Sequence, residues 1–178
     1  LSREVNSDIL MEFTMNRRGA VLSASGKMAR TNETVSMDAF DGKSLGITVG
    51  KIFDRLAENN SLGEDGGILI SVRRSDPDSK ASPEKIVKEV QKETESELQK
   101  KESRATVYVF ESEEDTKTRE IAEKYGITVT KAEFLKRLFA ENPEITVSGA
   151  PTDELNNKWE YYVNQIHEMD DFVKELTD

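Results

Sequence analysis

Apolar residues near the start of the chain recur at every second position. Ile9, Met11, Phe13 and Met15 alternate with Leu10, Glu12 and Thr14, mostly the period-2 pattern of a strand with one buried face. Asn16-Arg17-Arg18-Gly19 supplies a turn whose glycine can take a positive φ, and Ala20–Ala24 reads as the returning strand of a hairpin. Thr34–Met37 predicts a short third strand. The period then lengthens: Val49, Ile52, Phe53 and Leu56 stand at helical spacing over Thr48–Asn59, with Thr48 placed to cap the helix. Beyond the Gly63-Glu64-Asp65-Gly66-Gly67 loop, Ile68–Val72 is a largely apolar run, suited to a central strand covered on both faces.

The second half continues the alternation of element types. Asp76-Pro77-Asp78-Ser79 breaks the chain. Ser82-Pro83-Glu84 opens a helix with a capping residue, an N1 proline and an acid near the positive end of the dipole. That helix, to about Glu102, carries only Ile86, Val87, Val90 and Leu98 as large apolar residues, so most of its surface is expected in solvent. Ala105–Phe110 predicts another strand, and Glu113–Tyr125 a helix ending at Gly126. Thr130-Lys131-Ala132-Glu133 reads as a capping box opening a helix through Glu141, stopped by Asn142-Pro143. Leu155, Trp159, Tyr162, Val163, Ile166, Met169, Val173 and Leu176 define one face of a terminal helix from about Asp153 to Leu176. The expected fold is α+β: a mixed sheet of about five strands with packed helices and a C-terminal helical annex. Residues 1–111 form the sheet core and 112–178 a helical part packed on it, as one structural unit.

Composition narrows the function more than the fold. A chain of 178 residues can bury a real core, and 34% charged residues give it a heavily charged surface. A net charge of −10 repels phosphate backbones and anionic membranes, so nucleic acid is not an expected partner. The absence of cysteine excludes disulfides, thiol catalysis and zinc–thiolate sites. No run approaches the ~20 apolar residues of a membrane span. A chain starting at Leu1 without Met reads as an excised fragment, from which any signal or membrane anchor could have been removed.

Three stretches carry a family resemblance. Met11–Val21 resembles the opening of the extracytoplasmic domain of transmembrane anti-sigma-I factors of the RsgI type, in which an Asn-Pro-Ser-(Ile/Met)-Glu run leads into a strand and an Asn-Arg-x-Gly turn. Asp41–Leu45 into the helix, then Asn60–Val72, looks like the family's helix, glycine-containing loop and buried strand. Arg119–Thr128, followed by a capped helix and Asn142-Pro143-Glu144, resembles its second half. The matches cover roughly residues 8–145.

The resemblance implies a signalling part of a Gram-positive bacterium, not an enzyme acting on a metabolite. Such proteins hold a sigma factor through a short cytoplasmic segment, cross the membrane once, and place this domain on the extracellular side of the cell membrane. This chain lacks that segment, so a sigma factor is a partner only of the membrane-anchored full-length protein. An extracellular ligand or protease is the partner implied for the domain itself. Many members cut themselves between Asn and Pro at the start of the domain, and the two pieces stay paired as strands. Here Asp8-Ile9 stands where Asn-Pro would stand, and a two-residue shift to Asn6-Ser7 sacrifices the Glu12 match. An Asn amide can attack its own carbonyl carbon and release a following tertiary amide. An ionised Asp carboxylate does not cut readily at neutral pH, and Ile9 keeps an N–H for a sheet ladder. An intact strand is therefore the expectation, with Asp8 and Ile9 the candidate position of self-cleavage.

Other chemistry is thin. His167, with Glu168, Asp170 and Asp171, reads better as a solvated helix surface than as a metal site, because structural zinc gathers four ligands. Gly63–Gly67 lacks the Lys-Ser/Thr of a phosphate loop, and Asp76–Ser79 lacks the spacing of an EF-hand. No nucleophile-elbow sequence supports a hydrolase triad. Trp159 and Tyr162 lie on the apolar face of their helix, which favours packing over sugar stacking, although Tyr161 stands beside them. No catalytic, cofactor-binding or metal-ligating residue is assigned. Two rival readings remain: a non-enzymatic cell-surface interaction module unrelated to sigma-factor control, and an enzyme using scattered carboxylates.

Overall fold

The alternating apolar residues of the N-terminal segment fold as expected, and they line the middle of a sheet. A computed structural model describes residues 7–29, 31–38, 45–59, 67–76, 78, 80, 82–113, 115–141 and 169–177. Two compact units form, Leu1–Ser112 and Glu113–Asp178. The first contains β1 (Ser7–Met15), β2 (Val21–Met28), β3 (Thr34–Asp38), α1 (Leu45–Asn59), β4 (Gly67–Arg74), α2 (Pro83–Lys100) and β5 (Thr106–Glu111). The strands form one five-stranded mixed sheet in the order β3-β2-β1-β4-β5. β1 pairs antiparallel with β2 and parallel with β4; β2–β3 is antiparallel and β4–β5 parallel.

Asn16 explains the β1–β2 turn. Its side-chain Oδ1 accepts from the N–H groups of Arg18 and Ala20, both at 2.9 Å, while its own N–H donates to the Ala20 carbonyl. Gly19 takes φ 84°, a region that costs a side chain energy, and donates to the Asn16 carbonyl. The hairpin is longer than the sequence pattern suggested, running to Met28 opposite Ile9. Ser25-Gly26-Lys27 hid the extension because it carries no apolar alternation. Gly26 is there for close approach: a Cβ built on it would lie 2.5 Å from Ile52 Cγ2 and 3.2 Å from Leu56 Cδ1 of α1.

One face of the sheet is covered by α1 and α2. Ile9, Met11, Phe13, Ala24, Met28, Val35, Ile70 and Val109 point to it, and Val49, Ile52, Phe53, Leu56, Ile86, Val90 and Leu98 answer from the helices. β4 is buried along its first six residues, on both faces, as its continuous apolar run predicted. α1 begins three residues earlier than the pattern indicated. Thr48 is therefore not its cap but a buried residue of its first turn. Ser82 does stand at the start of α2, yet its side chain makes no capping bond. α2 buries Thr94 and Glu97 besides its apolar stripe; Gly50 of α1 makes room for Glu97, whose Oε1 would be 3.2 Å from a Cβ at that position.

The second unit is helical: α3 (Thr116–Tyr125), α4 (Val129–Glu141) and α5 (Met169–Thr177) among the described residues. α3 starts three residues later than expected, capped by Asp115, whose Oδ1 accepts from Lys117 N–H at 3.0 Å. It ends at Gly126 in the left-handed region, where Gly126 N–H donates to the Glu123 carbonyl and Ile127 N–H to that of Ala122, a Schellman closure. The cap of α4 is Thr128 rather than Thr130: Thr128 Oγ1 accepts from Lys131 N–H at 3.1 Å, and Thr130 is buried within the helix. Of the expected terminal helix, the stretch bearing Leu155, Trp159, Tyr162, Val163 and Ile166 lies outside the described residues. α5 packs on α3 and α4 through Phe172 and Leu176. Phe172, which does not belong to the apolar face expected for that helix, meets Tyr125 edge-on at 5.0 Å and Phe139 at 6.4 Å.

The crowding at Gly26 sets a measurable expectation. Gly26→Ala should lower the unfolding free energy by about 1–3 kcal/mol, because the stiff, β-branched Ile52 cannot swing clear of the added methyl. Thr94→Val, which removes a buried hydroxyl with no hydrogen-bond partner among the described residues, should instead be neutral or stabilise by up to about 1 kcal/mol. Denaturant unfolding of both variants checks the contrast; equal losses would contradict it.

Candidate functional site

The position singled out by sequence, Asp8-Ile9, lies in the central strand of the sheet. Both residues are fully buried. Their side chains point to opposite faces, Ile9 into the core under α1 and α2, Asp8 to the other side with Leu69 in register beside it. The connecting peptide is held by neighbours of both kinds. The Asp8 carbonyl accepts from Ala29 N–H at 2.9 Å, on the β2 side. A trans peptide points its N–H away from its carbonyl, so the N–H of Ile9 is directed to β4, where Ile9 stands in register with Ile70. Asp8 and Ile9 therefore sit within an ordinary trans ladder.

Further along the same strand, Glu12 shares the Asp8 face and pairs with Arg73 of β4. Arg73 Nε donates to Glu12 Oε2 at 2.7 Å, and its Nη2 contacts the same oxygen. Both side chains are about one-third exposed, so the pair fixes strand neighbours more than it adds stability. At the far end of β1, Ser75 closes the parallel ladder, its N–H and Oγ both donating to the Phe13 carbonyl at 3.0 Å. The match at Glu12 that set the register of the resemblance thus belongs to a cross-strand contact, which sequence spacing alone did not indicate.

The second unit carries two charged clusters of its own. Lys124 Nζ and Tyr125 Oη both reach Glu175 Oε1, at 2.5 and 3.0 Å, beside a recess of about 450 Å³ lined by Lys117, Glu120, Ile121, Lys124 and Glu175. The Lys124 and Tyr125 hydrogen bonds hold the Glu175 carboxyl below its ordinary pKa, and Glu175 raises that of Lys124. The second cluster centres on Asp115. Thr118 Oγ1 donates to its Oδ2 at 2.8 Å and Lys136 Nζ lies 3.1 Å from the same oxygen. The Thr118 hydrogen bond, with that of Lys136, keeps Asp115 ionised to lower pH than usual.

The remaining sequence candidates are not brought together. His167, Glu168, Trp159, Tyr161 and Tyr162 lie outside the described residues, as do Gly63–Gly66. Asp171 is exposed on α5. Asp78 N–H donates to Asp76 Oδ1 at 2.9 Å, a local Asx turn. Among the described residues no group of three His, Cys, Asp or Glu side chains is spaced to hold a metal ion.

The fold and this buried strand define an α+β domain built around one doubly paired N-terminal strand. The chain belongs to the family of anti-sigma factor RsgI-like central domains, whose model matches residues 4–137, from before β1 into α4. No curated protein and no solved structure gives a significant match to the chain.

The Asp115 cluster predicts an acid dependence. A carboxylate whose folded pKa is depressed contributes stability that is complete above its unfolded pKa and lost as pH falls through the folded value. The thermal midpoint of the helical unit should therefore drop from about pH 4 downward. Asp115→Asn, which keeps a capping side chain but no charge, should flatten that drop; an unchanged acid slope would remove Asp115 as its source.

Proposed function

We propose that this chain is the extracellular regulatory domain of a membrane-anchored anti-sigma-I-like factor, in a pathway of sigma-factor control by regulated proteolysis in a Gram-positive bacterium. The family match over residues 4–137 carries the reading. The net charge of −10 agrees with a partner that is neither nucleic acid nor an anionic membrane surface. Among the described residues no helix is long and apolar enough to cross a membrane, so anchoring would fall to a segment other than those. The sigma factor would be held through a cytoplasmic segment of the full-length protein, and this domain would answer an extracellular ligand or protease.

In this reading the Asp8–Ile9 bond stays whole. Self-cleavage of the family's kind needs a side-chain amide as nucleophile and a tertiary amide as the leaving side. Asp8 supplies no amide, and Ile9 holds an N–H that the parallel ladder can use. Signalling would then run through ligand binding or an outside protease rather than through a pre-cut pair of strands.

Two measurements test these statements separately. In intact cells making the full-length protein, a protease added outside should digest this domain while a cytoplasmic marker survives; protection until lysis would refute the extracellular placement. Intact-mass spectrometry at neutral pH, on a chain extended upstream so that both fragments are visible, should find the wild type uncut. Asp8→Asn with Ile9→Pro should restore cutting if this sheet strains the bond as in self-cleaving relatives. A wild-type chain split after Asp8 would make Asp8 a reacting residue and end the intact-strand proposal.

A further inference from the structure

β5, the end strand of the sheet among the described residues, carries its own closure. A strand with a neighbour on one side only leaves alternate backbone groups pointing outward, a template for another strand. Ser112 N–H donates to the Val72 carbonyl of β4 at 2.8 Å. By alternation Tyr108 and Phe110 also turn their groups toward β4, and Val107 and Val109 turn theirs outward. At that outer edge the Gln91 carboxamide reaches over from α2. Its Nε2 donates to the Val107 carbonyl at 3.1 Å, and its Oε1 accepts from Val109 N–H at 3.2 Å. One side-chain amide makes the donor–acceptor pair that a neighbouring strand's backbone would make. A flipped amide would set donor against donor, so the orientation is fixed. Glu95, one turn further along α2, holds it by accepting from Nε2 at 2.6 Å.

We infer that Gln91 guards β5 against edge-to-edge pairing with a second copy of this chain. The occupant follows from β5 itself. Two such strands, paired antiparallel about a two-fold axis at Tyr108, set Val107 of one copy opposite Val109 of the other. The two inner hydrogen bonds of that ladder run from each Val109 N–H to the facing Val107 carbonyl. Those are the two groups that Gln91 already holds. Thr106–Phe110 carries no charge, and in this register Glu111 faces Ala105, so self-pairing brings no like charges opposite each other. Val107, Tyr108, Val109 and Phe110 are strand formers, and nothing else in the strand's composition discourages pairing. The guard is a hydrogen-bonded side chain rather than the lysine or proline more often found on edges.

The test uses the full chain with Gln91→Ala and Gln91→Met, and Gln99→Ala, an exposed position on the same helix, as control. Gln91→Met keeps an unbranched stem against the sheet, which separates loss of the amide from loss of packing. Sedimentation over a concentration series should find the wild type and the control monomeric, and both Gln91 variants moving to dimer as concentration rises. At low concentration the Val109 amide of the variants should exchange about two- to tenfold faster than in the wild type, and at high concentration it should be protected again. Folded Gln91 variants that stay monomeric at every concentration would overturn the inference. So would a wild-type chain that dimerises with Val109 protected, since the edge would then not be guarded. Loss of the fold in both variants would make Gln91 a structural support and overturn it equally.

Discussion

Strand β1 is bound along both edges at once, antiparallel to β2 and parallel to β4, and the rest of the first unit is arranged around that double pairing. Its inward residues Ile9, Met11, Phe13 and Met15 form the floor on which α1 and α2 rest. The pleat sends their neighbours to the opposite face, and a slip of one residue would turn Glu12, half-buried and paired with Arg73, into the core in place of Met11 or Phe13. Burying an ionisable side chain among those methyl groups costs far more than any local contact could return. Register is thereby pinned from the inside, by burial, and at the C-terminal end of β1, by the Asn16 turn and by Ser75 on Phe13.

The same double pairing bears on the family's characteristic position. A backbone cut between residues 8 and 9 would fall near the start of that ladder, leaving only Ser7 and Asp8 of β1 on the upstream piece and Ile9–Met15 held along both edges. With aspartate and isoleucine in place, the ladder is continuous and the peptide is trans. Under the function proposed above, any opening of the first unit would have to compete with that sheet.

Much of the fold was legible in the sequence because its strongest signals are burial signals. The period-2 run of β1 and the continuous apolar run of β4 declared their places, and helical spacing located α1. What escaped were positions where contact, not hydropathy, decides. Gly26 looks like a strand's end until Ile52 is set against it, and Glu97 looks like a surface acid until Gly50 makes room. The start of α4 lies two residues before the expected one because Thr128 and Thr130 are chemically alike, and only geometry says whose hydroxyl meets a free N–H. Phe172 was missed since Val173 also fits a helical stripe, and the choice rests on Tyr125 and Phe139, which are distant in sequence. Asp8 and Ile9 were found by likeness to a family; no periodicity marks them. Gln91 gave no sequence signal, as a glutamine in a charged helix is unremarked until its strand partners are known.

The order of the strands also has a consequence in time. β1 meets β2 across a turn of a few residues, whereas Ile9 meets Ile70 only after β2, β3 and α1 have intervened. Closing that long loop costs chain entropy before any parallel hydrogen bond is gained. Chain entropy therefore favours β1–β2 contacts over β1–β4 contacts until the later half of the unit is available to cover the other edge of β1. On a growing chain emerging from N- to C-terminus, that open edge is exposed for as long as synthesis takes to reach β4. Sheets of this non-local kind are among the slower to form, and the interval belongs to whatever in the cell shields unpaired strands.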